Sequence, residues 1–464
     1  MMLSMATQWC NGSLSGGDCE FLSVSTDTRK IRPGDLFVAL RGERFDGHEF
    51  VAQAVSAGAC AVMVERPTQT EVAEIVVPDS RRALGFLAAG WADQFSIRRI
   101  AVTGNAGKTT VKEMIARMLS PIANMATAVT EVASASHAIV HATKGNLNNE
   151  IGVPLTLLGI NTAHQYGVFE LGASAPGEIA WTGSLVKPEV VMVTNVTGAH
   201  LEGFGSMQGI ADAKAEIFAA APEGSLAVIN GDDSFANFFA ERAKSAGLLV
   251  QWVGSSESAD WQAKNIALAP ESTDFVLSAG GDSWSVHIPL PGAHQVSNAL
   301  MAIAAVNAMG VSMTEALSRL EYLQPVKGRM NLQVCGQGML MDDSYNANPG
   351  SVRAAIDWLA ERAAPRMLVL GDLAELGDSS VDIHQQLGRY AASAGVEALV
   401  AVGEQAAHAA RAFGAGAIVA ASHDAAAALA ENVLERSGTV LVKGSRSAGM
   451  EKVVNILQVT GEIH

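Results

Sequence analysis

Residues 98–119, RRIAVTGNAGKTTVKEMIARML, join an apolar run, a glycine-rich turn and a helical pattern without a break. An apolar strand that feeds straight into a helix belongs in a mostly parallel sheet with helices on both faces. The same junction makes a phosphate cradle, because glycines let backbone N–H groups converge and a helix N-terminus adds partial positive charge. The turn comprises Thr103, Gly104, Asn105, Ala106, Gly107, Lys108, Thr109 and Thr110. Lys108 is placed to reach the β- and γ-phosphates of a nucleotide and Thr109 to offer its hydroxyl to Mg2+. A full Walker pattern has glycine where Val102 stands, so this is a shortened variant.

The rest of the chain extends the strand–helix alternation. In residues 1–98, DLFVAL (35–40), ACAVMVE (59–65) and AEIVVPD (73–79) read as strands, with helices over 51–59 and 80–95. In residues 99–324, further strands are expected at 166–171, 188–196 and 225–230, and the alternating pattern over 250–290 predicts an antiparallel flank. In residues 325–464, strands at 366–372, 398–404, 416–421 and 439–445 alternate with helical stretches, a Rossmann-like pattern without G-x-G-x-x-G. The expected fold class is α/β with three domains: a small α/β unit (1–98), a central P-loop-type unit (99–324) and a Rossmann-like unit (325–464). Residues 126–142, rich in Ala, Ser, Thr and Val, read as a surface loop or loose helix without chemistry.

Composition narrows the function classes. With 49% hydrophobic and 17% charged residues, the chain can bury large cores and is not disordered. No apolar stretch of about 18 residues is present, and the N-terminus lacks a signal-peptide pattern, so no membrane insertion is expected. A net charge of −16 argues against a nucleic-acid partner but not against a nucleotide held by local cations. The four cysteines form no C-x-x-C pair, which fits reduced thiols in the cytoplasm. No coiled-coil pattern appears, and a monomer is expected.

Six further stretches, taken with the T-G-x-x-G-K-T-T turn, resemble the Mur ligase family from end to end. They are STDTRKIRPGDLFVALRGERFDGHEF (25–50), GNLNNEIGVPLTLL (145–158), AHLEGFGSMQGIADAKAEIF (199–218), DDSYNANPGS (342–351), LGDLAELG (370–377) and VLVKGSRSAGME (440–451). Within the family they resemble the subfamily whose amine substrate is D-alanyl-D-alanine. Asn105 departs from the serine common there, Gln295 from asparagine, and ELGASA lacks the Asn-His that often follows ELGA.

The resemblance implies roles that the residues alone leave open. Glu170, ending the strand YGVFE, is implied as a Mg2+ ligand, though a strand-end glutamate is often just a surface charge. His200 is implied as a second-metal ligand, whereas a lone histidine after a strand is usually structural. Lys214 in ADAKAEIF would ordinarily be a solvated charge. The family implies a carbamoylated lysine there, anionic and metal-binding, a chemistry that needs a neutral amine. Asn298, Arg329 and Asp343 are implied contacts of ATP, and Thr26, Asp27, Thr28, Arg29, Asn146, Asn148 and Asn149 of a UDP-linked substrate. The implied reaction joins D-alanyl-D-alanine, carried by the third domain, to UDP-N-acetylmuramoyl-tripeptide with ATP and two Mg2+ ions, through an acyl phosphate. A sister ligase with another amine, or a P-loop NTPase coupled to a partner, are the competing readings.

Overall fold

The computed structural model describes residues 1–42, 45–122, 139–198 and 201–461. These residues form three sheets. The first has the order Ser13–Ser15, Ala73–Val76, Ala61–Val64, Asp35–Val38, Ser23–Ser25 and is parallel apart from the antiparallel Ser13–Ser15 edge. Helix Ser80–Ala92, capped by the Asp79 side chain, closes one face and presents Leu84 and Leu87 to that core. Its last turn leaves the first core: Ala88 and Ala92 pack with Val153, Leu157 and Leu185 of the central unit.

The central sheet has nine strands. From one edge they run Asp282–Ile288, Thr273–Ala279, Trp261–Leu268, Leu249–Gly254, Leu226–Asn230, Val190–Val193, Arg98–Thr103, Tyr166–Glu170 and Val140–Ala142. Only the first three are antiparallel to one another, so the flank expected over 250–290 begins at Trp261, and Leu249–Gly254 continues the parallel series. Strand alternation separates two cores. Ile100 and Val102 face helix His294–Ala308, whereas Ala101, Val191 and Val193 face the helices on the other side. The helix after the glycine-rich turn, Lys108–Leu119, buries Met114, Ile115 and Met118 completely. Truncating any one of them to alanine would cost about 2–5 kcal/mol, so the turn is mounted on a rigid support.

The third sheet has the order Asn331–Cys335, Gly338–Asp343, Thr439–Lys443, Arg366–Gly371, Ala398–Val402, Ala417–Ala420. Its last five strands are parallel, as the Rossmann-like pattern predicts. The hairpin Asn331–Cys335 with Gly338–Asp343 has no counterpart among the expected strands. Its signal is the two-residue turn at Gly336, whose φ of +59° suits glycine. Helix Leu3–Trp9 is likewise unanticipated. One expectation is corrected: Val140–Ala142, read as part of a surface loop without chemistry, is an edge strand paired with Tyr166–Glu170, and residues 126–138 lie outside the described residues. Among the described residues, no helix is long and apolar enough to cross a membrane.

Candidate active site

Four parallel strands of the central sheet end along one edge, at Thr103, Glu170, Val193 and Asn230. Carboxyl edges of such sheets are where ligands bind, because loops and helix N-termini converge there. A cavity of about 570 Å³ opens above that edge and extends to the third sheet. The first strand delivers the glycine-rich turn. Gly104 adopts a φ of +136°, and a Cβ there would stand 1.9 Å from the Thr194 hydroxyl oxygen. Gly107 adopts a φ of +80° and caps helix Lys108–Leu119, with a Cβ position 2.6 Å from the Asn298 side-chain oxygen. Any side chain at either glycine would be strained and would also collide with a neighbour. The turn is braced from the adjacent strand end: Ala106 N–H donates to Asn195 Oδ1 (3.0 Å), and the Thr194 hydroxyl donates to the Ala106 carbonyl (2.6 Å). Asn105 accepts at Oδ1 from Thr197 N–H (3.2 Å), so the departure from serine is bonded into the same brace.

Polar groups gather at the mouth of the turn. The Thr109 hydroxyl donates to Glu170 Oε2 and the Asn148 amide to Glu170 Oε1, each at 2.8 Å. Glu170 is 2% exposed, so two donors orient a carboxylate that has left bulk water. Lys108 Nζ donates to the Gly104 carbonyl (2.7 Å). Burial lowers its pKa, Arg329 lowers it further, and the Glu170 carboxylate opposes both.

Lys214 lies across the cavity on helix Met207–Ala220, which the Ser206 hydroxyl caps by accepting from Gly209 N–H (3.0 Å). It stands four residues after Ile210 and three before Ile217, and therefore on the buried face. Only 1% of it is exposed. Its ammonium sits 5.3 Å from the Phe204 ring centre and donates to the Ala173 carbonyl at 3.5 Å. Burial, with Lys108 nearby, lowers its pKa to about 7 against weaker opposition from Glu178 and Glu216. A lysine in that setting is substantially a neutral amine near pH 7.

Another wall of the cavity, adjoining the turn at Gly107, is built from helix His294–Ala308 and the start of the third sheet. Asn298 donates to Gln295 Oε1 (3.1 Å), and the Gln295 amide meets a ring nitrogen of His294 (3.1 Å), so Gln295 is part of a bonded amide–imidazole chain. The Arg329 guanidinium stacks 4.4 Å above the Tyr345 ring. Asp343 accepts from Met330 N–H (3.2 Å) and forms an ion pair with the buried Lys443.

Of the residues singled out in the sequence, Asn105 through Thr110, Glu170, Lys214, Asn298, Arg329, Asp343, Asn146, Asn148 and Asn149 line this one cavity. Asn149 also accepts from Gly152 N–H (2.8 Å) at the start of the next helix. Thr103 and Gly104 do not line it: the Thr103 hydroxyl donates to the Leu171 carbonyl (2.7 Å), a tie between strands. Thr26, Asp27, Thr28 and Arg29 lie outside the cavity, where Asp27 accepts from the Arg29 guanidinium at two 2.9 Å contacts. His200 lies outside the described residues. Among the described residues, no cluster of three His, Cys, Asp or Glu side chains forms a ready metal cage. Thr194, Asn195, Thr143, His294 and Lys443 went unread in the sequence, because hydroxyl and amide residues after a strand look like ordinary loop. The run VTNV after PEVVM, at the same edge as Glu170, was the available signal for the first two.

Family models match most of the chain: "Mur ligase family, catalytic domain" over residues 20–134, "Mur ligase middle domain" over 102–306, and "Mur ligase, glutamate ligase domain" over 328–446. The chain is 43% identical over 463 residues to the UDP-N-acetylmuramoyl-tripeptide–D-alanyl-D-alanine ligase of Escherichia coli K12, covering 99% of this chain and 98% of that one. It resembles a crystal structure of MurF from Acinetobacter baumannii with a TM-score of 0.89 at 36% identity, covering 98% of each chain. It also resembles the MurF ligase from Thermotoga maritima in complex with ADP, with a TM-score of 0.82 at 26% identity, covering 95% of this chain and 98% of that one.

Proposed function

The chain belongs to the Mur ligase family, and we infer that it joins D-alanyl-D-alanine to UDP-N-acetylmuramoyl-tripeptide with ATP, a step of peptidoglycan precursor synthesis. The observation that carries this reading is the convergence of Lys108, Thr109, Glu170 and Lys214 with Asn298, Arg329 and Asp343 on one cavity. The units divide as 1–98 for the UDP-linked substrate, 99–324 for ATP and 325–464 for the incoming dipeptide.

A carboxylate is a poor acyl donor, because its leaving group would be oxide. Transfer of the γ-phosphoryl group of ATP to it gives an acyl phosphate, which the dipeptide amine attacks with release of phosphate. The protein's part in such a transfer is alignment and charge neutralisation. The glycine-rich turn and the N-terminus of helix Lys108–Leu119 cradle the phosphates, with Lys108 beside the β- and γ-groups. Asn298 holds the adenine end, Arg329 a phosphate, and Asp343 the ribose hydroxyls. Thr26, Asp27, Thr28 and Arg29 serve the uridine end, while Asn146, Asn148 and Asn149 serve the end that reaches the cavity.

The donor set fits Mg2+. Thr109 Oγ1 and Glu170 Oε2 are hard oxygens 2.8 Å apart. Adjacent ligands of an octahedral ion bound at about 2.1 Å are separated by roughly 3 Å. Magnesium ions, when bound, neutralise the phosphate oxygens and let a carboxylate approach the γ-group. Thr109 and Glu170 would hold one ion, and His200 with Lys214 a second. For that, Lys214 must carry a carbamate, and its nearly dry setting, with a pKa lowered to about 7, supports that chemistry. The chain acts as a monomer in the cytoplasm, where ATP and reduced thiols are available.

The deciding experiment is phosphate release from ATP. It should require both UDP-N-acetylmuramoyl-tripeptide and D-alanyl-D-alanine. Comparable release with the dipeptide omitted would point to an NTPase, and release with another amine alone to a sister ligase.

A further inference from the structure

One buried cation beside the site has no part in the chemistry above. Lys112 lies one turn after Thr109 on helix Lys108–Leu119 and is 2% exposed. Its ammonium donates to the Thr143 carbonyl at 2.7 Å and stands 2.6 Å from Glu113 Oε1. Thr143 follows the edge strand Val140–Ala142, and its N–H donates to the Val168 carbonyl (3.0 Å). The Thr143 hydroxyl accepts from the backbone N–H of Glu170 (3.0 Å). Lys112 therefore joins the helix of the phosphate cradle to the segment that approaches Glu170 from the other side.

The two groups that orient the Glu170 carboxylate sit on those same two pieces. Thr109 is on the helix and Asn148 on the segment after Thr143. If helix and segment drift apart, the carboxylate loses one donor or turns. Burying a lysine carries a desolvation cost that a well-packed apolar residue would avoid. We propose that Lys112 is a positioning residue: by clamping Thr143 to the cradle helix, it presets the Glu170 carboxylate against Thr109 before nucleotide and metal arrive. This rests on the reading of Thr109 and Glu170 as the magnesium-binding pair.

The test uses the full chain and reads the Mg2+ dependence of ligation, kcat and thermal stability. Lys112→Met keeps the unbranched stem as far as the Cε position but neither charge nor donor. The Mg2+ concentration for half-maximal rate should rise about tenfold, the usual scale for removing a group that orients a metal ligand. The kcat at saturating Mg2+ should stay within about threefold of wild type, since the reacting groups are untouched. Thr143→Val should move the same quantity and Thr143→Ser should not. Lys112→Met combined with Thr143→Val should shift it little more than the larger single change, since both act on one connection.

Lys112→Gln, which retains a donor for the Thr143 carbonyl, takes the place of the methionine variant if that one does not fold, and a smaller shift in the same direction is expected. Glu170→Gln separates the two layers of the argument. A shifted Mg2+ dependence in Glu170→Gln but not in Lys112→Met, whose only losses are stability or kcat, overturns the positioning role and leaves the metal pair standing. An unchanged Mg2+ dependence in Glu170→Gln removes the metal pair, and the positioning role with it.

Discussion

The mouth of the glycine-rich turn and the Thr26–Arg29 segment are both candidate substrate contacts, and they are built in opposite ways. At the turn, Glu170 and Lys214 are almost fully buried, and Glu170 already has its donors. In the first unit, the Arg29 side chain is 84% exposed and its partner is Asp27, two residues away. An exposed pair of this kind contributes little to folding, and its geometry is cheap to rearrange. The first site is assembled by the fold and waits for ligands. On the proposed reading the second is a surface whose partners would change when the UDP-linked substrate binds. Chemistry on phosphates needs preset charges in a water-poor space, whereas recognition of a remote uridine end needs only contacts that form on binding.

That contrast breaks most sharply at Lys108. Lys108→Ala should lower ligation by about a thousandfold, roughly 4 kcal/mol of barrier, while circular dichroism and thermal unfolding stay close to wild type. Turnover within tenfold of wild type would mean that the turn does not act on phosphates.

Lys214 gives the next largest effect. Lys214→Ala should lose about a hundredfold in ligation rate and recover part of it with added formate or acetate, which supply the missing oxygens. Lys214→Arg should remain inactive despite its charge, because a guanidinium forms no carbamate under these conditions. If arginine restores activity and carboxylates do nothing, Lys214 is a plain cation. The pH dependence has a definite sign. The lysine pKa is lowered to about 7, so the neutral amine that reacts with CO2 increases as pH rises through that value. Enzyme stripped of CO2 should regain activity with bicarbonate more fully at pH 8 than at pH 6.

The surface site should respond more gently and in a different constant. Arg29→Ala should raise KM for the UDP-linked substrate about tenfold and leave kcat within about twofold, as expected for uniform binding. A fall in kcat with KM unchanged would place Arg29 among the preset groups instead.

The smallest effect is expected from residues 126–138. A short Gly-Ser connector in their place should leave turnover within about twofold. The strand Val140–Ala142 must be spared, since Thr143 behind it bonds to Glu170 and Lys112. Loss of ATP binding on this replacement would show a role for the segment.

The strand–helix alternation and the turn at 103–110 were legible because each rests on local chemistry: period-two or continuous apolar runs, glycines and a helix start. Glu170 was legible as a strand end, whereas Lys214, read from the residues alone as a solvated charge, lies on the buried helix face with Ile210 and Ile217. What a strand edge is brought against is a different matter. Thr194 and Asn195 brace the turn from 88 and 89 residues away in sequence, and Lys443 reaches Asp343 from the neighbouring strand, 100 residues further along the chain. The runs VTNV and VLVKGS mark strand ends, but nothing local in them says which distant groups those ends meet. Their roles exist only once parallel strands from distant parts of the chain end at one edge. The same holds for the lowered pKa of Lys214, which needs both its burial and the approach of Lys108. Periodicity and turn chemistry set which elements form. Long-range packing decided which polar groups share a dry space, because desolvation and charge proximity belong to the assembled cavity and not to any stretch of sequence.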